Sequence, residues 1–262
     1  MTASVAAGLS GDSGWILTAA TLVVAGLLLV PGWIVGRSAR LAALPSLAVA
    51  PALSSAIIAA AEILAHTLAL PWLPWGWAVI AGLTAVVALM ARLIVGAPPE
   101  RARRAASQGR AEWVILAAGL TVAVAVPAGV ILSVLPGPGY PAQAFDATFH
   151  LNAVAAIREG GNASMLGGLS ALYSGRTVYY PTVWHGAVAL APGSPAPVST
   201  AGVLALTAVV WPLSLLGLLA RAAGLDAARA SETDRARRRQ RTCAVAAVLA
   251  LSAAVVGFPL LP

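Results

Sequence analysis

The chain has 262 residues, of which 60% are hydrophobic and only 10% are charged, and its mean hydropathy is +0.87. Soluble domains carry about 25% charged residues, so this composition excludes an ordinary soluble enzyme and predicts an integral membrane protein. The formal net charge is +7. The basic residues fall in short connections between apolar runs, where they indicate topology and not a nucleic-acid partner. A single cysteine, Cys243, excludes an internal disulfide.

The apolar runs predict an all-α fold, a polytopic transmembrane helix bundle of about six spans with a helical extracytoplasmic loop. A helix needs roughly 20 residues to cross a bilayer core of about 30 Å. Pro45 and Pro51 are expected to break or kink the start of the second span. The three tryptophans between Pro71 and Trp77 suit the headgroup level. The runs of sufficient length lie at about 15–35, 46–70, 77–95, 113–135, 200–219 and 242–262.

The arginines predict which connections lie inside the cell. All 16 basic residues are arginine, a usage that suggests a bacterial gene. Two follow the first span, five the third and seven the fifth. Because cytoplasmic loops are enriched in Arg and Lys, these three connections are expected on the cytoplasmic side of a bacterial plasma membrane. The amino terminus and the loop 136–198 are then expected outside. The first span lacks a basic segment ahead of it and is expected to remain uncleaved.

The loop 136–198 is polar, aromatic and turn-rich, and it holds two of the three histidines. Its apolar spacing predicts a helix over 145–158 that ends at a glycine pair, and the stretch 183–190 is a candidate re-entrant piece. Asp146 is expected at the helix start, where it could cap backbone N–H groups. Asp146 and His150 would share one helical face and could jointly hold a ligand or a divalent metal ion. The sequence does not decide between these roles.

Further along the loop, a second short interfacial helix is expected over 163–173. Arg176, Tyr179, Tyr180 and His185 then cluster before the next apolar stretch. An arginine with several aromatic donors at a membrane surface suits an anionic, partly apolar ligand such as a lipid-linked phosphate. The alternative is an aromatic belt with one snorkelling arginine.

Two motifs in this loop carry a family resemblance. The pattern Asp146-x-x-Phe-His, followed after the helix by Tyr180-Pro-x-x-x-His, resembles the first large extracytoplasmic loop of the GT-C superfamily. These are multispanning glycosyltransferases of the cell envelope that use polyprenyl-phosphate sugars. The resemblance covers about 144–191. The Asp-x-x-Phe-His-Leu-Asn-Ala-Val stretch is also similar to a motif of actinobacterial multispanning membrane proteins.

The resemblance implies a role for each motif residue. Asp146 would match the catalytic acidic residue and act as general base on an acceptor hydroxyl. Arg176, His150 or His185 would offset charge on the departing phosphate. The sequence departs from the superfamily in two ways: alanine follows Asp146 where a second acid is frequent, and four spans precede the loop instead of one. A polyprenyl-phosphate sugar is the implied partner, and the metal requirement stays open.

A polar pair lies within the second span. Glu62 and His66 are four residues apart, and an unpaired charge would cost about 2.5 to 3.5 kcal/mol at the bilayer centre. Both should therefore face protein or water, as part of an ion pathway, as a wall of the cavity that holds Asp146, or in an interhelical hydrogen bond. Three functions remain open: a lipid-phosphate-dependent glycosyltransferase or lipid-phosphate-binding protein, a transporter or flippase centred on Glu62 and His66, and a non-enzymatic membrane subunit with a protein partner.

Overall fold

The computed structural model describes residues 11–96, 110–137, 140, 145–225 and 232–257. The regular structure of these residues is helical, as predicted, and an isolated antiparallel bridge joins Leu166 and Tyr179. A 3₁₀ turn and a π-helical segment supplement the α-helices. The helices are α1 Gly11–Ser38, α2 Ala43–Thr67, α3 Trp72–Val95, α4 Arg110–Val134, α5 Phe145–Gly160, α6 Val183–Ala189, α7 Pro195–Leu204, α8 Trp211–Ala222 and α9 Glu232–Gly257.

Among the described residues, five helices are long and apolar enough to cross a membrane, which confirms a polytopic helical bundle. The fifth of them joins α7 and α8 through the π-helical segment Ala205–Val210. The sixth predicted span falls on α9, while residues 258–262 lie outside the described residues. α9 already begins at Glu232, because arginine is a good helix former and extends the helix through the basic connection. The five candidate spans are Gly14–Ser38, Ala43–Thr67, Trp72–Val95, Ala111–Val134 and Pro195–Ala222.

α2 is continuous through both prolines, so the expected break at the start of the second span is wrong, while the alternative, a kink, stays a prediction. Pro45 lies in the first turn, where a backbone N–H has no intrahelical partner to lose. Pro51 lies inside the helix, and prolines are tolerated within membrane-spanning helices when these pack against neighbouring helices. The backbone N–H of Gly32 in α1 donates to Ser54 Oγ at 2.8 Å. A Cβ at Gly32 would lie 2.1 Å from the carbonyl oxygen of Ala50, so α1 and α2 pack backbone to backbone.

The three tryptophans of the connection differ in their surroundings. Trp75 and Trp77 are 48% and 45% exposed, whereas Trp72, the first residue of α3, is 1% exposed. Trp72 donates its indole N–H to the carbonyl oxygen of Gly186 at 2.9 Å. The polar edge of Trp72 is therefore satisfied by the loop, and the headgroup position of the three rings stays a prediction.

Of the two helices predicted for the loop 136–198, the first is present and the second is not. α5 ends at Gly160, the first residue of the predicted glycine pair. The stretch 163–173 holds only the 3₁₀ turn Ser170–Tyr173, because Gly167 and Gly175 adopt positive φ angles of 119° and 81° that a helix does not allow. The candidate re-entrant piece forms the short helix α6.

The loop helices share one hydrophobic core with the membrane bundle. Val24 of α1 and Ile58 of α2 lie in the same buried cluster as Ile157 of α5, Val188 of α6 and Val198 of α7. The loop is therefore not a separate appendage, and its side chains are placed by the spans beneath it.

Candidate functional site

α5 has one buried face and one open face. Ala153, Val154 and Ile157 are fully buried on the side that packs into the bundle. Asp146 lies in the first turn and is exposed, and His150, one turn later, is half-buried. Since residues four apart are neighbours on a helix surface, α5 places this carboxylate and this imidazole on one face. Asp146 is the second residue of the helix, where a negative charge also favours the helix dipole.

His150 is joined to the second loop histidine. His150 Nδ1 and His185 Nε2 are 2.8 Å apart, which is a hydrogen bond carrying one proton between the two rings. His185 lies on α6 and is 3% exposed, so α6 holds it beneath the α5 imidazole. The sequence placed both histidines in the candidate site, and the structure brings them into direct contact.

Burial determines the charge of His185. It lowers the pKa of His185 to about 4, so His185 is neutral at pH 7. Its Nδ1 is buried and has no hydrogen-bond partner among the described residues. Since an unsatisfied buried donor is rarer than an unsatisfied acceptor, we assign the proton to His185 Nε2, which donates to His150 Nδ1. The Nε2–H of His150 is then available to a ligand.

Aromatic rings surround the histidine pair. The ring of Trp184 lies 5.6 Å from that of His150 and 5.0 Å from that of His185, centroid to centroid. Phe149 contacts Tyr180 at 5.2 Å, and Tyr180 contacts His185 at 5.7 Å. Such tilted and edge-to-face contacts fix ring orientation as well as burying area. The two imidazoles are therefore held in a rigid aromatic setting.

Arg158, in the last turn of α5, holds the end of α6. Its Nε donates to the carbonyl oxygen of Ala189 at 3.0 Å, and its two Nη atoms donate to the carbonyl oxygens of Ala191 and Gly193. Helix carbonyls at a carboxyl end lack intrahelical partners, and a guanidinium satisfies several at once. Arg158 therefore positions α6, and with it His185, relative to α5.

Glu62 connects the membrane bundle to the same short helix. Its side chain is 1% exposed, and its Oε2 accepts a hydrogen bond from Thr182 Oγ1 at 2.9 Å. Its Oε1 has no hydrogen-bond partner among the described residues and lies against Gly186, where a Cβ would be only 2.0 Å away. With the carboxyl group of Glu62 in this position, residue 186 has no room for a Cβ. α6 is thus seated on a buried acid of the second span.

Glu62 and His66, which were predicted to act as a pair, lie in different environments. Glu62 points into the interior, while His66 is exposed near the end of α2. Among the arrangements considered for Glu62, the structure contains a hydrogen bond, which joins this span to Thr182 of the loop. Glu62 lies against α6, and His185 of α6 contacts His150 of α5.

The other residues predicted to bind a ligand also lie in different environments. Tyr180 joins the ring contacts around His185. Tyr179 is 76% exposed and pairs through its backbone with Leu166, and Arg176 is exposed in the preceding segment. Arg176 and Tyr179 therefore lie on the solvent side of the loop, and Tyr180 lies on the histidine side.

A preformed multi-ligand metal centre is not found in the described part of the chain. Within it, no group of three or more His, Cys, Asp or Glu side chains is arranged to hold a metal ion. Asp146 and His150 could supply two ligands, and a substrate phosphate would have to supply others.

Sequence reasoning missed the supporting residues of this site. Thr182, Gly186 and Trp72 contact Glu62 or α6 across more than a hundred residues of chain. Arg158 is not among the candidate residues of the sequence analysis, because its acceptors at 189–193 lie more than 30 residues further along the chain and no local pattern specifies them.

A family described as a family of unknown function, DUF6541, matches residues 25–262. The chain belongs to this family. The part of the chain that matches DUF6541 includes Glu62, the whole of α5 and α6, and the fifth membrane-spanning helix. No curated protein and no solved structure matches the chain.

Proposed function

We propose that this DUF6541 protein is a GT-C-like membrane glycosyltransferase that uses a polyprenyl-phosphate sugar at the outer face of the bacterial plasma membrane. The observation that carries the proposal is the shared face of Asp146 and His150 on α5, with His150 held from behind by His185. An exposed carboxylate and an imidazole N–H one helical turn apart offer a general base and a hydrogen-bond donor for a phosphate group.

In the proposed reaction, the Asp146 carboxylate takes the proton of an acceptor hydroxyl. The acceptor oxygen forms a bond to the anomeric carbon of the sugar, and the bond between that carbon and the phosphate oxygen breaks. The electron pair of the broken bond goes to the polyprenyl phosphate. His150 Nε2–H donates a hydrogen bond to this phosphate as its charge develops, and one such preorganised donor contributes about 3 kcal/mol in well-studied enzymes.

His185 acts in this proposal as a positioning residue. It does not face the ligand, but its hydrogen bond sets which nitrogen of His150 carries the outward proton. The exposed Arg176 and Tyr179 lie outside the histidine cluster and suit contacts with the charged or sugar end of the donor at the membrane surface. The arginine distribution supports an extracytoplasmic loop.

The test follows the release of polyprenyl phosphate in membranes from cells that overproduce the protein, with mass spectrometry as the readout and membranes lacking the protein as the baseline. Asp146→Asn should abolish the protein-dependent release while leaving the amount of folded protein unchanged. Glu159→Gln removes the same charge from an exposed residue of α5 and should leave release intact. His150→Ala should lower release by about 100-fold. Retained release in Asp146→Asn would refute the assignment of the base.

The burial of Glu62 supports a transporter or flippase as a second candidate. A buried carboxyl group with one oxygen lacking a hydrogen-bond partner among the described residues is typical of proton-coupled carriers. Under this alternative, Glu62→Gln would stop transport in proteoliposomes and Asp146→Asn would not. The reverse pattern would favour the transferase.

A further inference from the structure

An apolar groove runs between α1 and α3, at a distance from the loop site. Its volume is about 510 Å³, and its walls are the facing sides of these two helices from Leu22 and Trp77 at one end to Ile34 and Ala85 at the other. Apart from the indole of Trp77 at one end, Thr84 is the polar side chain in this lining, and its hydroxyl already donates to the carbonyl oxygen of Ile80 at 2.7 Å. The length of the groove beyond Trp77 is therefore apolar and suits a hydrocarbon occupant.

The groove leads into a basic cup. A second cavity of about 400 Å³ shares Ile34 with the groove and is lined by Trp33 and by three arginines, Arg37, Arg40 and Arg92. Arg37 lies in the last turn of α1 and Arg40 comes just after this helix, while Arg92 lies in the last turn of α3. Three guanidinium groups beside the apolar groove give the combined site one positively charged part and one apolar part.

The arginines are not neutralised within the described part of the chain. The ion pair found there joins Arg238 and Glu112, on α9 and α4. Arg37 donates to the backbone carbonyl of Leu41, and Arg37, Arg40 and Arg92 all line the cup. Three uncompensated positive charges in one cavity favour an anion, and guanidinium groups match phosphate oxygens bidentately.

We propose that the groove and the cup together bind one anionic phospholipid. Its acyl chain lies between α1 and α3, and its phosphate lies against Arg37, Arg40 and Arg92. From Leu22 to Ile34 the groove follows α1 for about 18 Å at 1.5 Å per residue, close to the thickness of one leaflet, which is about half of 30 Å. Basic pockets between spans on the cytoplasmic side bind such headgroups in other membrane proteins.

The site is independent of the proposed transferase. It lies at the arginine-bearing ends of α1 and α3, which the predicted topology places in the cytoplasmic leaflet, whereas Asp146 belongs to the loop between α4 and α7. A negative result for lipid binding leaves the transferase proposal untouched, and the reverse also holds.

Native mass spectrometry of the purified chain, with phosphatidylglycerol or phosphatidylcholine added in detergent, tests the charged half of the site. Wild type should retain one phosphatidylglycerol and little phosphatidylcholine. Arg40→Gln/Arg92→Gln should weaken phosphatidylglycerol binding by roughly 30-fold, from about 1 kcal/mol per arginine. The matched control Arg237→Gln/Arg241→Gln removes two exposed arginines from α9 and should bind as wild type does.

The apolar half is tested with two glycines that each have open space at the Cβ position. Gly26→Leu places a side chain in the groove and should weaken binding roughly tenfold. Gly82→Leu, on α3 outside the groove lining, should leave it unchanged. Equal loss in both arginine double variants, equal retention of the two lipids, displacement by millimolar inorganic phosphate, or a second copy of the chain in the groove would each overturn the proposal.

Discussion

Thr182 Oγ1 donates a hydrogen bond of 2.9 Å to Glu62 Oε2 across 120 residues of sequence. This bond joins the second membrane-spanning helix to the segment that introduces α6. It connects a buried acid of this helix to the loop that carries both candidate histidines. Substitution of either residue should therefore affect the packing of the other.

Thr182→Val should destabilise the protein by about 1 to 3 kcal/mol. Valine has nearly the shape of threonine, so the change removes the donor with little change in packing and leaves both oxygens of Glu62 without a partner. Unfolding in detergent, followed by circular dichroism, measures the effect. Thr177→Val makes the same exchange at an exposed loop position and should have no measurable effect. Equal stability of the two variants would show that the Glu62 contact contributes nothing.

Gly186→Ala should be strongly destabilising, because its Cβ would lie 2.0 Å from Glu62 Oε1. Removing the opposing carboxyl group should relieve the collision. Glu62→Ala/Gly186→Ala should therefore be less destabilised than the sum of the two single variants, with a coupling of about 1 to 3 kcal/mol in unfolding free energy.

The control for this cycle is Gly160→Ala, where a Cβ meets no atom within 4 Å. It should be neutral or slightly stabilising, since alanine is the better helix former. Strict additivity in the double variant would contradict the contact between Glu62 and Gly186.

His185 should make stability fall in acid. In the unfolded chain its pKa is near 6.5, and in the folded protein it is about 4. Between these two pH values the unfolded chain binds a proton that the folded protein does not. The contribution of neutral His185 to the free energy of unfolding is therefore fully present above pH 6.5 and is lost as the pH falls toward 4. The loss is about 1.4 kcal/mol per pH unit, or roughly 3 kcal/mol in total.

The measurement compares unfolding free energies at pH 7 and pH 4.5. His185→Gln should lose less stability over this interval than wild type. His66→Gln replaces an exposed histidine and should follow the wild-type curve. Identical pH dependence in all three proteins would rule out a buried neutral His185.

Arg158→Lys should loosen the turn that follows α6. An ammonium group cannot reach the three carbonyl oxygens that the guanidinium binds, so carbonyls at the helix end lose their donors. We expect a loss of about 2 kcal/mol and faster hydrogen exchange at residues 189–193. Arg176→Lys, at an exposed loop position, should change neither quantity.

Much of the fold follows from the sequence because the bilayer limits the choices. Apolar runs of the required length can only be helices, which is why five spans were found close to their observed positions. The errors arose where tertiary contacts decide. The prolines of α2 do not end the helix, and Trp72 is buried against the loop, where its indole N–H donates to the carbonyl oxygen of Gly186.

The candidate site was predictable in its residue types and not in its contacts. Helical spacing alone placed Asp146 and His150 on one face. The contact between His150 and His185 spans 35 residues, and nothing in the local pattern specifies it. Tyr179 and Tyr180 illustrate the limit, because adjacent residues in an extended segment point in opposite directions and only one of them can reach the histidines.

α6 is fastened on three sides, by Glu62 from α2, by Trp72 from α3 and by Arg158 from α5. Segments that gate a site by swinging open are held far more weakly, and their motion often limits turnover. We therefore expect that a ligand of the candidate site would reach the exposed side of α5 without an opening movement of α6.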